Sequence, residues 1–185
     1  MRTWIALLRG INVGGHNRLP MKSLSQVLES AGCEHVKTYI QSGNVVFKAE
    51  IQSAARFGEE VGQAIENEHG FCPAILLITA DELGQAIASN PYPDATSEPK
   101  TLHLSFLEHE PEEGRISAAK TLLAKTESFT VKGNLLYLHA PEGIGRSKFA
   151  AGIERVLQVK MTGRNWRTVT KLEELAATLM VRAVL

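Results

Sequence analysis

Apolar positions along the chain follow two spacings, and their alternation predicts the elements. Trp4-Ile5-Ala6-Leu7-Leu8 is a short apolar run that ends at Gly10, the mark of a buried strand. Leu24, Val27, Leu28 and Ala31 then recur at helical intervals. Pro20 suits the first turn of that helix, because its missing N–H would have no partner there. Gly32 supplies the left-handed residue that ends it. Val36 to Ile40 and Val45 to Lys48 read as strands around Gln41-Ser42-Gly43-Asn44, a hairpin signal. Ser53 is placed to cap a helix whose Phe57, Val61 and Ile65 share a face, closing near Gly70. Ala74 to Ile78 is a further buried strand, so the first half reads β-α-β-β-α-β.

Thr79 and Glu82 stand at capping-box spacing before a short helix with Leu83 and Ile87 on one face. That helix stops before Asn90-Pro91, since proline disfavours helical geometry at the residue preceding it. The proline-rich segment through Pro99 is the natural boundary, giving halves of 1–95 and 96–185. Leu102 to Leu107 then reads as a strand and Ile116, Ala119, Leu122 and Leu123 as a helix. Phe129 to Val131 and Leu135 to Leu138 form a hairpin around Lys132-Gly133-Asn134, followed by a helix with Phe149, Ile153, Val156 and Leu157. The last helix carries Trp166, Val169, Leu172, Leu175 and Leu179, and the strand expected before it is weak or absent. Ser42-Gly43-Asn44 and Lys132-Gly133-Asn134 lie 90 residues apart, about half the chain, which reads as a duplication.

The fold class that follows is α+β: two tandem ferredoxin-like βαββαβ halves with antiparallel sheets, the second lacking a clear last strand and carrying the C-terminal helix. A flavodoxin-like parallel sheet fits less well, because the hairpins require antiparallel neighbours. In a βαββαβ unit the loop after the first strand and the central hairpin turn share one end of the sheet. Arg9 to Asn17 should therefore lie beside Gln41 to Asn44. The same rule separates Cys33 from Cys72 by a strand length of ~17–20 Å, too far for a disulfide, which needs Cα atoms within roughly 7 Å.

Composition narrows the class. The 185 residues are 44% apolar and 22% charged, enough apolar surface to exclude a long disordered polyampholyte. No apolar run approaches the ~18–20 residues that span a bilayer, and the N-terminal run before Arg9 is too short for a signal peptide. With only two cysteines, a disulfide scaffold is excluded and a cytoplasmic location expected. Lys and Arg number 20 against 20 Asp and Glu. That balance hides 7 basic and 10 acidic residues in 1–95 against 13 and 10 in 96–185. Arg2, Arg9, Arg18 and Lys22 precede the first carboxylate, Glu29, and residues 143–171 carry seven cations against Glu154. Such local excess attracts anions, unless it is a solvated basic face.

Four segments are candidates for chemistry. Gly10-Ile11-Asn12-Val13-Gly14-Gly15-His16-Asn17, preceded by Arg9, has the glycines that let backbone N–H groups approach an anion. It matches neither the P-loop nor the dinucleotide pattern, and a tight connection needing positive φ explains it equally well. Arg146, Ser147 and Lys148 open a helix where backbone donors and the positive helix end favour an anion, unless Ser147 only caps it. In Arg164-Asn165-Trp166, Arg164 can fork onto a carboxylate or phosphate, while Trp166 either stacks on a ring or joins the core. Gln41, Ser42 and Asn44 offer amide and hydroxyl groups for a ligand's polar edge. The six histidines form no zinc pattern and neither Ser42 nor Ser147 lies in a nucleophile elbow, so no catalytic residue, metal site or cofactor is assigned.

Leu7 to Gly15, Thr38 to Phe47, Gly145 to Lys148 and Arg164-Asn165-Trp166, in that order, resemble a family of small, mostly bacterial proteins, domain of unknown function 1697. The resemblance runs from residue 1 to about residue 177. It implies a cytoplasmic α+β protein with paired ferredoxin-like halves, and carries no established activity. Three functional readings stand. The first is binding of an anionic, phosphate-bearing small molecule or nucleotide through Arg9, Asn12, Gln41, Ser42, Asn44, Arg146, Ser147, Lys148, Arg164 and Asn165. Nucleic acid is the less favoured ligand, given a pI near 7.0 and no stacking aromatic pair on the strands. The second is an enzyme acting on such an anion. The third is an interaction module or homodimer, built on an exposed sheet edge where the eighth strand is missing and on the apolar tail Leu179 to Leu185.

Overall fold

Alternation along β1 (Arg2–Arg9) puts Trp4, Ala6 and Leu8 into one buried cluster. Facing them are Leu24, Val27 and Leu28 of α1 (Met21–Ser30) and Val61 and Ile65 of α2 (Ala54–His69). The computed structural model describes residues 1–181. Arg182 to Leu185, the end of the apolar tail, lie outside the described residues.

Two compact units divide the chain: Met1–Gln85 with Lys171–Leu185, and Ala86–Thr170. In the first, β2 (Glu34–Tyr39), β3 (Asn44–Ala49) and β4 (Ala74–Thr79) join β1 in a sheet of order β2-β3-β1-β4, every neighbouring pair antiparallel. Ser53 caps α2, its Oγ accepting from the Arg56 N–H at 3.4 Å, and Gly70 at φ +78° ends it. A Cβ on Gly58 would stand 3.1 Å from the Ile75 carbonyl oxygen, so α2 runs close against β4. A helix over a sheet edge is one way proteins keep that edge from pairing with other chains. α3 (Ala80–Ala88) starts with the expected capping box: Thr79 N–H and Oγ1 donate to Glu82 Oε2 at 2.7 and 2.9 Å, and Glu82 N–H donates back to Thr79 Oγ1 at 3.1 Å. Cys33 and Cys72 are both free thiols.

The second unit contains β5 (Leu102–Leu107), α4 (Glu113–Ala119), β6 (Ser128–Lys132), β7 (Leu135–His139), α5 (Lys148–Leu157) and β8 (Met161–Asn165). Its sheet has the order β6-β7-β5-β8, again fully antiparallel. Leu107, Leu136, Leu138, Phe149 and Ile153 form its core with Ala119. α6 (Trp166–Val181) gives its first turn to this unit and its residues from Lys171 onward to the other.

β8 corrects the sequence reading, which expected the second half to lack a clear last strand. Its sequence, Met-Thr-Gly-Arg-Asn, has neither alternation nor aromatic residues, yet it pairs along β5 from Leu107↔Met161 to His103↔Asn165. At Gly163 a Cβ would stand 2.6 Å from Ser105 Oγ on the facing strand, so the bare glycine leaves room for that hydroxyl as it stands. A glycine inside a strand, with no side chain to pack, hid the strand from a propensity argument. The self-association reading loses the missing strand on which it was built.

Candidate functional site

The loop after β1 and the β2–β3 turn meet at one end of the first sheet, as the topology requires. Leu8 N–H donates to the Gly43 carbonyl at 2.8 Å. Gly43, at φ +72°, is so tightly enclosed that a Cβ would stand 2.6 Å from Leu8 Cβ and 2.8 Å from Ile11 Cδ1. Asn12 holds the two segments together. Its Nδ2 donates to the carbonyls of Leu19 at 2.9 Å and Gln41 at 2.8 Å, and its Oδ1 accepts from Leu19 N–H at 2.9 Å. Both amide hydrogens are used, so Asn12 is a clamp with little left for a ligand. It sits at φ +54°, a left-handed conformation that asparagine tolerates better than most residues.

Beyond Asn12 the loop folds on itself. Asn12 N–H donates to Asn17 O and His16 N–H to Val13 O, while Asn17 Nδ2 donates to Gly10 O at 3.0 Å. Gly14 and Gly15, at φ +60° and +81°, form the tip, where two consecutive positive values call for glycine. On the other segment, Asn44 is fully buried and its Nδ2 donates to Ser42 Oγ at 2.9 Å and to Tyr39 O at 3.2 Å. Ser42 and Asn44 therefore shape the turn. Ile40 within it adopts φ +48° while 51% exposed. For a β-branched side chain this conformation is strained, with no burial to favour it.

Between the two segments lies an open groove of about 430 Å³ lined by Asn12, Gly15, Arg18, Leu19, Pro20 and Gln41. The side chains of Arg18 and Gln41 are exposed and make no hydrogen bond or ion pair among the described residues. They present a cation and an amide beside the exposed backbone of Gly15 over a floor of Leu19 and Pro20. Arg9 is exposed at the end of β1, opposite Ala74 of β4. Arg18 was counted in the basic N-terminal window but not singled out. No motif in the sequence marks it; the Asn12 clamp, which ties Leu19, its neighbour, to Gln41, brings it to the groove.

The remaining candidates belong to the second unit. Ser147 is buried and caps α5, its Oγ accepting from Ala150 N–H at 3.0 Å, while Arg146 and Lys148 are exposed. Asn165 caps the start of α6 through Oδ1, which accepts from Thr168 N–H at 3.0 Å. Trp166 is buried. Arg164 lies on β8 across from Leu104, half-buried, with Nη1 donating to Gly163 O at 2.8 Å. Burial pushes its guanidinium down to about 10. His103 on β5 is half-buried as well, and desolvation lowers its imidazole below the ordinary value. Among the described residues no three His, Cys, Asp or Glu side chains are grouped to hold a metal, and no helix is long and apolar enough to cross a membrane.

The profile of one family matches residues 1–137, and with them both segments of the groove. The chain belongs to the family described as protein of unknown function (DUF1697). The match ends short of residue 177, so Gly145 to Lys148 and Arg164 to Trp166 lie beyond it. No curated protein matches the sequence. Among solved structures the chain is similar to conserved bacterial protein SP0830 from Streptococcus pneumoniae, at 24% identity and a TM-score of 0.68, covering 95% of this chain and 98% of that one. At that identity the likeness concerns the fold.

Proposed function

We propose that this member of the family binds an anionic, phosphate-bearing small molecule or nucleotide in the groove at the end of the first sheet. The observation that carries the reading is the groove's division of labour. Asn12, Ser42 and Asn44 are consumed in building it, while Arg18 and Gln41 stand in it with their side chains unengaged. Arg18 supplies charge and a forked donor, Gln41 a directional amide, and the Gly14-Gly15 tip a backbone that a phosphate can approach. Arg9 adds cationic field at the same end of β1. Arg146, Ser147, Lys148, Arg164 and Asn165 remain secondary contributors in this reading, because Ser147 and Asn165 already serve as helix caps.

The architecture proposed to carry the groove is a ferredoxin-like βαββαβ unit in each half, 1–95 and 96–185. The strand orders β2-β3-β1-β4 and β6-β7-β5-β8 support it. A cytoplasmic location goes with the reading, on the strength of two free thiols.

The test is a titration of the full chain with inorganic phosphate, ribose 5-phosphate and adenosine monophosphate, followed by thermal unfolding and calorimetry. A saturable stabilisation by at least one of them is expected, reduced at least tenfold in affinity by Arg18→Ala and by Gln41→Ala. Ligand at 100 times its Kd would add about 2.7 kcal/mol. No stabilisation by any probe, or one indifferent to Arg18→Ala, would overturn the reading.

A further inference from the structure

At the opposite end of the first sheet, where β1 begins, lies a second cavity of about 450 Å³, within the range of small-molecule sites. Arg2, Thr3, Lys48 and Thr79 line it from the strands, Asp81 from the start of α3, and Met180 from α6. Thr3 and Lys48 are direct partners across β1 and β3, so their side chains leave the sheet together on one face.

Three features of the lining point to a ligand. Thr3 is only 9% exposed, yet its hydroxyl has no hydrogen-bond partner among the described residues. Its oxygen is open to the cavity and so can bond a molecule there. Lys48 and Arg2 likewise make no ion pair there. Asp81, on the α3 side, also has no partner among the described residues, whereas Thr79 is already bound to Glu82. Met180 keeps 48% of its surface exposed at the cavity, an adaptable apolar wall.

The geometry points to a free α-amino acid with an apolar side chain as the ligand of this cavity. Its carboxylate would take the Lys48 ammonium and the Thr3 hydroxyl, which leave the sheet on one face, its ammonium the Asp81 carboxylate, and its side chain the Met180 thioether. A phosphate fits worse, because its second negative charge would face Asp81. This site is separate from the groove at Arg18 and Gln41, which lies beyond the other end of the eight-residue β1.

Calorimetric titration of the full chain with L-leucine and with isocaproate, the same acid without its amine, tests the assignment. Saturable binding of leucine is expected, with isocaproate at least tenfold weaker. Lys48→Met, which keeps the apolar stem, should weaken leucine at least tenfold, and the isosteric Thr3→Val should weaken it less. Asp81→Asn should abolish the preference for leucine over isocaproate. Arg18→Ala should leave leucine binding unchanged, so failure here and failure of the phosphate groove are told apart. Because Lys48 is half-exposed, its variant keeps the test valid even if Thr3→Val disturbs folding. Absence of saturable leucine binding, equal affinity for isocaproate, or indifference to Lys48→Met would overturn the proposal.

Discussion

The central hairpin turns of the two sheets share a Gly-Asn pair and little else. The first connection, Ile40 to Gly43, is four residues long; the second, Gly133-Asn134, is two. Each is bonded to the first strand of its sheet, by Leu8 N–H to Gly43 O and by Leu107 N–H to Asn134 O, both at 2.8 Å. There the likeness ends. Gly43 is packed against Leu8 and Ile11, whereas Gly133, at φ +58°, has no atom within 4 Å of where a Cβ would stand. Asn44 is buried and bonded to Ser42 and Tyr39, while Asn134 is exposed. The second turn needs only what a two-residue hairpin of its kind needs, a glycine at the first position that accepts positive φ. The first is tied to the β1–α1 loop by Asn12 and includes a strained, exposed isoleucine. Strain persists only where surrounding structure over-determines it, and such places cluster at functional sites.

Substitution of the two glycines gives the largest expected contrast. Gly43→Ala meets both a left-handed backbone, at about 1–2 kcal/mol, and overpacking at about 1–3 kcal/mol. Gly133→Ala meets the first cost alone. Urea unfolding should show the first variant losing at least twice the stability of the second; equal losses would mean that the enclosure of Gly43 relaxes cheaply. Next in size is Asn12→Ala, which leaves the carbonyls of Leu19 and Gln41 and the Leu19 N–H without their partner, at about 1–3 kcal/mol. Hydrogen exchange should quicken at Leu19 and the 40–43 turn and stay unchanged at Gly133 and Asn134. Smaller, and of opposite sign, is Ile40→Asn. Asparagine tolerates φ +48° better, so a gain of about 0.5–1 kcal/mol is expected. If that variant stabilises the fold but weakens phosphate binding, the strain at Ile40 serves the site.

Much of this architecture was legible because it rests on local signals. The capping box at Thr79, the caps at Ser53 and Ser147, the glycine that ends α2, and the meeting of the β1–α1 loop with the first hairpin all follow from spacing and strand direction. β8 was missed because Gly163 gives the strand no side chain to pack, and the Ser105 hydroxyl it leaves room for lies in no local window. The site was half legible for a related reason. Residue type marked Asn12, Ser42 and Asn44 as polar groups at a loop cluster, but a side chain's hydrogen-bond partners decide whether it builds a site or serves it. Arg18 carried no motif. Its candidacy comes from the groove alone.

The least of the expected effects separates the two units by pH. Burial pushes the Cys33 thiol in the first unit up from 9.0 to about 12, and the Tyr137 hydroxyl in the second up from 10.0 to about 12. A raised folded value means that the contribution is whole below the unfolded value and is lost as pH rises towards the folded one. The first unit should thus begin to weaken above pH 9 and the second above pH 10, by less than about 1 kcal/mol within the first half unit. His103 acts in the other direction. Its imidazole is held below 6.5 by burial, so the unfolded chain takes the proton first and the second unit weakens as pH falls below that value. Exchange rates of buried amides in β1 and β5, measured from about pH 5.5 to about pH 10.5 after correction for intrinsic chemistry, separate these contributions. Protection in β5 should fall at the acid end, and His103→Gln should flatten that slope without changing the alkaline loss in β1. An acid slope that survives the substitution would remove His103 as its cause. Cys33→Ala flattening the alkaline slope in β1 alone would complete the assignment.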